Sequence, residues 1–509
     1  MAEPTTLEAP SRLSQSVVWD IQRRYFESAG QKAWSKGVVP HYITTNAHIA
    51  RAYARVIAAW IEDQPHLNRD EPVYVLELGA GSGKLGFLLS HELSLLVRDR
   101  QLPPICVVIT DFAEANVSAW LEHPDLTAAF ESGRLDCALF DADAPGPIEL
   151  RHSGLVIGPE PTVNPMVAVA NYVVDTLRQD AFAIDDGQLH EILVQATLPA
   201  DAKVAADHPR ASEHVTLTRS RATTSLPVYN DEGLDSLLER YLNVLERSEV
   251  VIPVGAIAAF RHLLALSDGR LCVMAGDKGY RNPRDLRERT LGNLVKHGSF
   301  SMMANLDAVA HVLGGASLFH DNRYTRFTIG AMSSVTGELP RFKGAFRDFV
   351  NDFGPSEYHR LFKIARQDWK DASIPLILLL LRLSNYDPTV FARWCTPLLE
   401  GAADAGSAVQ HDLVFCLRRV LERTYAVSTT EDVRFIAGRI LFRLERYADA
   451  SAEFKRVVIA TPDRRAAWFN LGLCCERTRS LDEARAAFSK AVDLDPDYDR
   501  ARKALARVS

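Results

Sequence analysis

Short continuous apolar runs dominate the first half of the chain. Val73-Tyr74-Val75-Leu76, Ile105-Cys106-Val107-Val108-Ile109-Thr110 and Leu135-Asp136-Cys137-Ala138-Leu139-Phe140 are three of them; residues 166–177 and 271–275 give two more. Runs of this length, rich in β-branched residues and lacking alternation, predict strands covered on both faces, as in a parallel sheet. Between the first two runs, residues 84–97 are amphipathic with a helical period, so strand, turn and helix follow one another. The last third changes period: residues 357–366, 374–385, 388–400 and 412–424 all predict helices. An α/β region followed by an all-α region is the expected architecture.

The turn between the first strand and its helix reads Glu77-Leu78-Gly79-Ala80-Gly81-Ser82-Gly83. Glycines there let the backbone turn sharply and approach a ligand, and the first amides of the following helix are unpaired donors. A phosphate-cradling P-loop is excluded twice, because Leu85 follows Gly83-Lys84 and Leu78 stands where the first glycine belongs. Gly81-Ser82-Gly83-Lys84-Leu85-Gly86 satisfies the dinucleotide pattern, so a nicotinamide-dependent oxidoreductase stays open. A glycine turn without a ligand is the plain alternative. The second run ends on Asp111, a carboxylate at a strand edge able to accept both hydroxyls of a ribose, or else a solvated loop acid. The third run leads to Asp141-Ala142-Asp143.

An acid at the strand end fused to Gly79-x-Gly81-x-Gly83 resembles motif I of class I S-adenosylmethionine (SAM)-dependent methyltransferases. That resemblance implies a doubly wound, Rossmann-like methyltransferase core. It assigns Glu77, Gly79, Gly81 and Gly83 to the loop that holds the methionine part of SAM, Asp111 to the ribose and Asp141 to the adenine amino group, with Asp143 as a second acid nearby. The run Asn171-Tyr172-Val173-Val174-Asp175-Thr176-Leu177 resembles the strand-four signature of MidA-like methyltransferases, the group containing the mitochondrial complex I assembly-factor arginine methyltransferase. Val39-Pro40-His41-Tyr42-Ile43-Thr44-Thr45-Asn46 resembles that family's segment upstream of motif I, and residues 268–280 resemble its fifth strand and glycine turn; together the similarity covers roughly residues 15–335. The family pattern has Asn-Glu where this chain has Asn171-Tyr172, which removes the carboxylate that would orient a guanidinium. Asn171, Tyr172 and Asp175 are the expected catalytic group, aligning the acceptor and keeping its lone pair free. The alternative for Asn171 and Asp175 is a capping pair at a strand-to-helix junction. A SAM-binding pseudoenzyme serving as a protein scaffold would also keep Glu77 and the glycines.

At the other end, Trp468, Leu471, Gly472, Cys475, Ala484, Phe488, Ala491 and Pro496 occupy tetratricopeptide positions; about 34 residues earlier Gly438, Leu441, Ala450, Phe454 and Pro462 repeat the pattern. Such arrays present a groove to peptides or protein surfaces, so a protein partner held there is expected. The expected divisions are a disordered 1–13, a methyltransferase domain over 14–345 with an insertion near 197–247, degenerate helical repeats over 355–430 and tetratricopeptide repeats over 431–509. A length of 509 residues accommodates about three units at about 150 residues each.

Composition narrows the remaining classes. A formal net charge of -7 gives no global basic field, so nucleic-acid binding is not expected, and Arg464-Arg465 and Arg500-Ala501-Arg502-Lys503 read as solvated helix faces. Seven cysteines without Cys-x-x-Cys spacing, and no His/Cys cluster, suggest buried free thiols in a reducing, cytoplasmic compartment and no metal. No apolar run approaches the ~20 residues of a membrane span, and Met1-Ala2-Glu3-Pro4 has no secretory character. Oligomeric state and acceptor identity are not encoded in any of these patterns.

Overall fold

Each apolar run expected to be a strand contains one, although the run 166–177 is a strand only as far as Asn171. β1 (Val73–Glu77), β2 (Ile105–Asp111), β3 (Leu135–Leu139) and β4 (Met166–Asn171) come first, then β5 (Asp180–Asp185), β6 (Gln188–Leu198), β7 (Thr216–Thr224) and β8 (Arg247–Ile252), and finally β9 (Leu271–Tyr280), β10 (Ser317–Phe319) and β11 (Phe327–Ser333). The computed structural model describes residues 4–29, 43–200, 202, 204–292, 295–296, 300–320, 326–369, 372–426 and 432–509. It divides into two units, Met1–Glu357 and Tyr358–Ser509.

In the first unit one sheet runs in the order β10-β11-β9-β4-β1-β2-β3. From β9 to β3 the strands are parallel, and β11 is antiparallel to both neighbours. All seven residues of β2 are buried, as the absence of alternation requires. On one face Leu76, Val108, Ala168 and Val273 share a core with Ile257, Phe260 and Leu263 of the helix Val254–Leu266. Among the other helices α1 is Val18–Ala29, α2 Ala47–Glu62, α3 Lys84–Arg100 and α4 Glu114–Leu121. α2 packs on α3 with Ile49, Tyr53, Val56, Ile57 and Trp60 fully buried. The side chain of Asn46 starts α2 by accepting from the Ile49 amide; Val39-Pro40-His41-Tyr42, upstream of it, lie outside the described residues.

The chain leaves β1 toward β2 and leaves β4 toward β9, on opposite sides. The carboxyl ends of β1 and β4 therefore border the topological switch point, where open α/β sheets bind ligands. Register brings those ends level, with Glu77 opposite both Ile109 and Val169, and Asn171 opposite Gly276.

Between β4 and β9 sits an antiparallel sheet in which β5 pairs with β8 and β6, and β6 with β7. It begins at Asp180, upstream of the insertion expected near 197, and its strand β6 largely alternates buried with less buried positions, as a half-covered antiparallel strand does. Thr5–Thr6 and Ser11–Arg12 pair with β6. Leu13 is buried and the Glu8 carboxylate accepts from Val17 N and Ser16 Oγ, so this stretch is ordered where disorder was expected; residues 1–3 lie outside the described ones.

The second unit is helical throughout its described elements. Paired helices Val433–Arg443 with Tyr447–Ala460 and Arg465–Arg477 with Leu481–Leu494 are followed by Asp499–Val508. A Cβ on Gly438 would lie 3.0 Å from the Phe454 ring and one on Gly472 2.5 Å from Phe488, which explains the small residue at that repeat position. The segment 388–400, read as one helix, is two, Pro388–Arg393 and Cys395–Gly401. Among the described residues no helix is long and apolar enough to cross a membrane.

Candidate functional site

Gly79, Gly81 and Gly83 all have left-handed φ values, +61°, +54° and +76°, which is why the turn after β1 alternates glycine. Behind this loop, Gly86 of α3 packs so closely that a Cβ would come 2.1 Å from Ile109 Cγ2 and 2.7 Å from Glu77 Oε2. Glu77 is buried under the loop, where its carboxyl accepts the Gly86 amide while Oε2 has no partner. Burial, with Asp111 nearby, pushes the Glu77 carboxyl up to about 8. The amino end of α3 thus already has an acceptor on one of its first amides, and the Gly83 carbonyl takes another, from Phe87.

Asp111 ties the loop to β2. Its Oδ2 accepts from Gly81 N at 3.2 Å and Asn116 Nδ2 at 3.0 Å, and its Oδ1 from Ala113 N at 3.0 Å. Burial raises this carboxyl in spite of those donors. Trp120 Nε1 donates to the Gly81 carbonyl at 3.1 Å and clamps the loop from α4.

A cavity opens at the switch point. Gly79, Asp111, Phe112 and Asn116 line it on the β1–β2 side, Phe140, Asp141 and Asp143 after β3, and Tyr172, Val173 and Asp175 after β4, with Lys278 from β9. Its cover is α1, which contributes Trp19, Gln22, Arg23 and Phe26. The cover is fastened at several points. Arg23 Nη1 pairs with Asp141 Oδ2 at 2.6 Å and its guanidinium lies 4.7 Å from the Phe112 ring centroid. Gln22 Nε2 donates to Thr176 O at 2.7 Å and Gln22 Oε1 accepts from Phe300 N at 2.9 Å, while Arg178 holds Asp20 at 2.7 Å.

The opposite wall is the β4–β9 pair. Asn171 Oδ1 accepts from the Tyr53 hydroxyl at 2.8 Å and its Nδ2 is buried without a partner. Tyr172 follows with φ +55°, a left-handed value costly for a bulky residue, so the chain turns out of the sheet and no helix follows. Its amide donates to Gly276 O at 2.9 Å, and burial raises its phenol. Asp175 and Asp277 are both buried, and the Asp175 amide donates to Asp277 Oδ2 at 3.0 Å. Burial pushes Asp175 up to about 7 with the Lys278 ammonium working against it, and burial beside Asp175 raises Asp277 well above the carboxylate range.

Five expected site residues line the cavity together: Gly79, Asp111, Asp141, Tyr172 and Asp175. Glu77, Gly81, Gly83 and Asn171 do not line it; Glu77 and Asn171 support the loop and α2 from behind, and neither Asn171 nor Asp175 caps a helix. Sequence reasoning missed α1 with Arg23, and it gave no role to Asp277. An acid ending the otherwise apolar run of β9 was the available signal for Asp277; nothing in the sequence couples α1 to Asp141.

Comparison with known proteins gives the following. A tetratricopeptide repeat family model matches residues 437–499. No curated protein matches the chain. Structural neighbours include two COG1565 superfamily proteins from Burkholderia thailandensis. An uncharacterized one is 15% identical with a TM-score of 0.40, covering 65% of this chain and 90% of its own. The other, bound to S-adenosyl-homocysteine, is 14% identical with a TM-score of 0.37, covering 66% and 97%. MamA from Desulfovibrio magneticus RS-1 is 21% identical, with a TM-score of 0.24, over 30% of this chain and 81% of its own.

Proposed function

We propose that the chain is a SAM-dependent methyltransferase acting on a protein acceptor captured partly by its tetratricopeptide repeats. The observation that carries this reading is the acid-rich lining of the switch-point cavity: Asp111, Asp141, Asp143 and Asp175 outnumber its three cations, of which Arg23 is paired with Asp141 and Arg178 with Asp143, leaving Lys278. Carboxylates around a ligand favour a cation, and SAM brings a sulfonium and an ammonium, whereas a dinucleotide brings a pyrophosphate. The helix terminus that would cradle a pyrophosphate has the Glu77 carboxyl under it. The antiparallel β11 beside β9 also departs from the all-parallel second half of dinucleotide-binding sheets.

The residues present fit SAM. Gly79, whose absent side chain leaves room against Val173, would admit the methionine part, while Asp111 would hold the ribose and Asp141 the adenine end. Once bound, SAM supplies an electrophilic methyl group. The protein's part is alignment and dryness: Trp19 and Phe26 of α1 exclude water, and Tyr172 and Asp175 border the space an acceptor enters. The repeats, by holding one segment of a protein, raise the local concentration of another segment at the cavity.

Calorimetry of the full chain with S-adenosyl-homocysteine and with NAD tests the cofactor. Binding of the first and none of the second is expected; the reverse overturns the reading. For the acceptor, lysate proteins are labelled from methyl-labelled SAM by the parent and by Gly472→Val, which drives a side chain into Phe488. Loss of label with unchanged S-adenosyl-homocysteine affinity is expected. No label from the parent favours the scaffold reading instead.

A further inference from the structure

We propose that Asp175 and Asp277 work as one proton-sharing pair, in which Asp175 takes the proton of an ammonium acceptor and Asp277 is its positioning residue. This deepens the methyltransferase reading and rests on it for the identity of the reaction.

The geometry is specific. Asp277 ends the buried part of β9, and its two oxygens are engaged by backbone amides, Oδ2 by Asp175 N at 3.0 Å and Oδ1 by Lys278 N at 2.8 Å. It has no access to the cavity. Asp175 lies between Asp277 and the cavity, is 5% exposed, and has an Oδ1 with no partner among the described residues. Two carboxylates this close in a dry wall cannot both ionise near neutrality, so one proton stays with the pair. Asp277, facing Asp175 and away from solvent, is raised furthest and keeps that proton; Asp175, with the Lys278 ammonium on its open side, is the member that titrates. The other titratable groups facing the pair among the described residues are the Tyr172 and Tyr53 phenols, both of which burial keeps protonated. A neutral Asp277 holds the Asp175 carboxyl through the shared proton, and Asp175 Oδ1, itself buried in the cavity wall, is the acceptor left for a donor bound there.

A protonated primary amine fits that oxygen. It is a cation that an ionised Asp175 attracts, and it must lose one proton before its lone pair is free. Transfer of that proton to Asp175 Oδ1 frees the nitrogen lone pair, which forms the N–C bond as the methyl–sulfur bond breaks and the electron pair stays on sulfur. Asp175 returns its proton to water when the methylated ammonium leaves. A guanidinium, which stays charged without a strong base, suits the site less.

Two measurements on the full chain test the pair. The first is infrared titration of protein carrying carbon-13-labelled aspartate carboxyls, which excludes Glu77 from the signal. One aspartic acid should stay protonated through neutral pH and another should ionise near pH 7. The near-neutral change should vanish in Asp175→Asn and persist in Asp277→Asn, where the amide reproduces the neutral acid. Two ionised carboxylates across the neutral range, or a near-neutral change surviving Asp175→Asn, overturns the proposal. The second is the binding of n-butylammonium to the complex with S-adenosyl-homocysteine. It should tighten about tenfold between pH 6 and pH 8 as Asp175 ionises, and lose that dependence in Asp175→Asn. Binding that does not vary with pH overturns the proposal while leaving the methyltransferase reading intact. Failure of S-adenosyl-homocysteine to bind the parent removes the methyltransferase reading, and the infrared arm still decides the pair.

Discussion

The two sides of the crevice bury the same kind of group and treat it in opposite ways. On the β1–β2 side Asp111 is surrounded by donors from three elements, which leaves it a strut for the glycine loop. On the β4–β9 side Asp175 and Asp277 face each other, with an oxygen of Asp175 left over. Burial alone therefore does not decide what a carboxylate is for. Donors around it turn it into architecture, and a second acid beside it turns it into a proton store.

The largest expected effect attacks the strut side at Gly86. Gly86→Val places methyl groups into Ile109 and Glu77, and overpacking of this kind should cost about 3 kcal/mol or more, read by urea unfolding as a collapse of the midpoint. A near-native midpoint would show the loop side to be as forgiving as any surface turn.

Asp111→Ala comes next. It leaves the Gly81 and Ala113 amides and the Asn116 amide group without their acceptor, so a loss of about 2–4 kcal/mol is expected together with loss of S-adenosyl-homocysteine binding. Normal stability with weakened binding would leave Asp111 its ribose contact and remove its role as a strut.

Third is a pH effect shared by both sides. Glu77 and Asp175 retain protons in the folded chain up to about 8 and about 7, whereas the unfolded chain releases them near 4.5 and 3.8. Because the folded state binds more protons in that window, stability should fall as pH rises from about 5 to 8. Glu77→Gln keeps an acceptor for the Gly86 amide and should flatten that fall by on the order of 2 kcal/mol, measured as thermal unfolding against pH. Asp175→Asn should flatten only the part up to about pH 7. Parallel parent and variant curves would contradict the burial argument.

Smallest is Arg23→Ala. The Arg23 and Asp141 side chains are 39% and 28% exposed, so losing their pair should change stability by only about 0.5 kcal/mol. S-adenosyl-homocysteine affinity should shift by a few-fold, since Asp141 is then free to meet the ligand while α1 loses one fastening; calorimetry reads both.

What the sequence made legible follows the same division. β1, its glycine turn and β2 lie close together along the chain, so pattern and spacing identify Gly79 and Asp111 directly. The tetratricopeptide pairs are equally local, and Gly438 and Gly472 meet Phe454 and Phe488 within single hairpins. The β4–β9 wall is not local. Asp175 and Asp277 meet only because β9 pairs with β4 across the inserted sheet, and no periodicity reports that pairing. Glu77 was visible as a strand-end acid, but its direction depends on Gly86 packing, which brings the carboxyl beneath the loop. The insertion's start was misplaced because β5 follows β4 closely and nothing in its short apolar run assigns it to a second sheet. Residues 4–13 read as disordered because their partner strand, β6, lies far along the chain.

That inserted sheet has a consequence for the order of assembly. β1 and β2 are joined through one helix, but β4 ends at Asn171 and β9 begins at Leu271, so the second wall closes only after everything between them has been gathered in. Its closure also buries two acids together, and that step requires the chain to capture a proton from solvent. In alkaline buffer the encounter of β4 with β9 should be the slow event of refolding, and newly made protein should pass through a stage in which the glycine loop is formed while the wall opposite is still open to water.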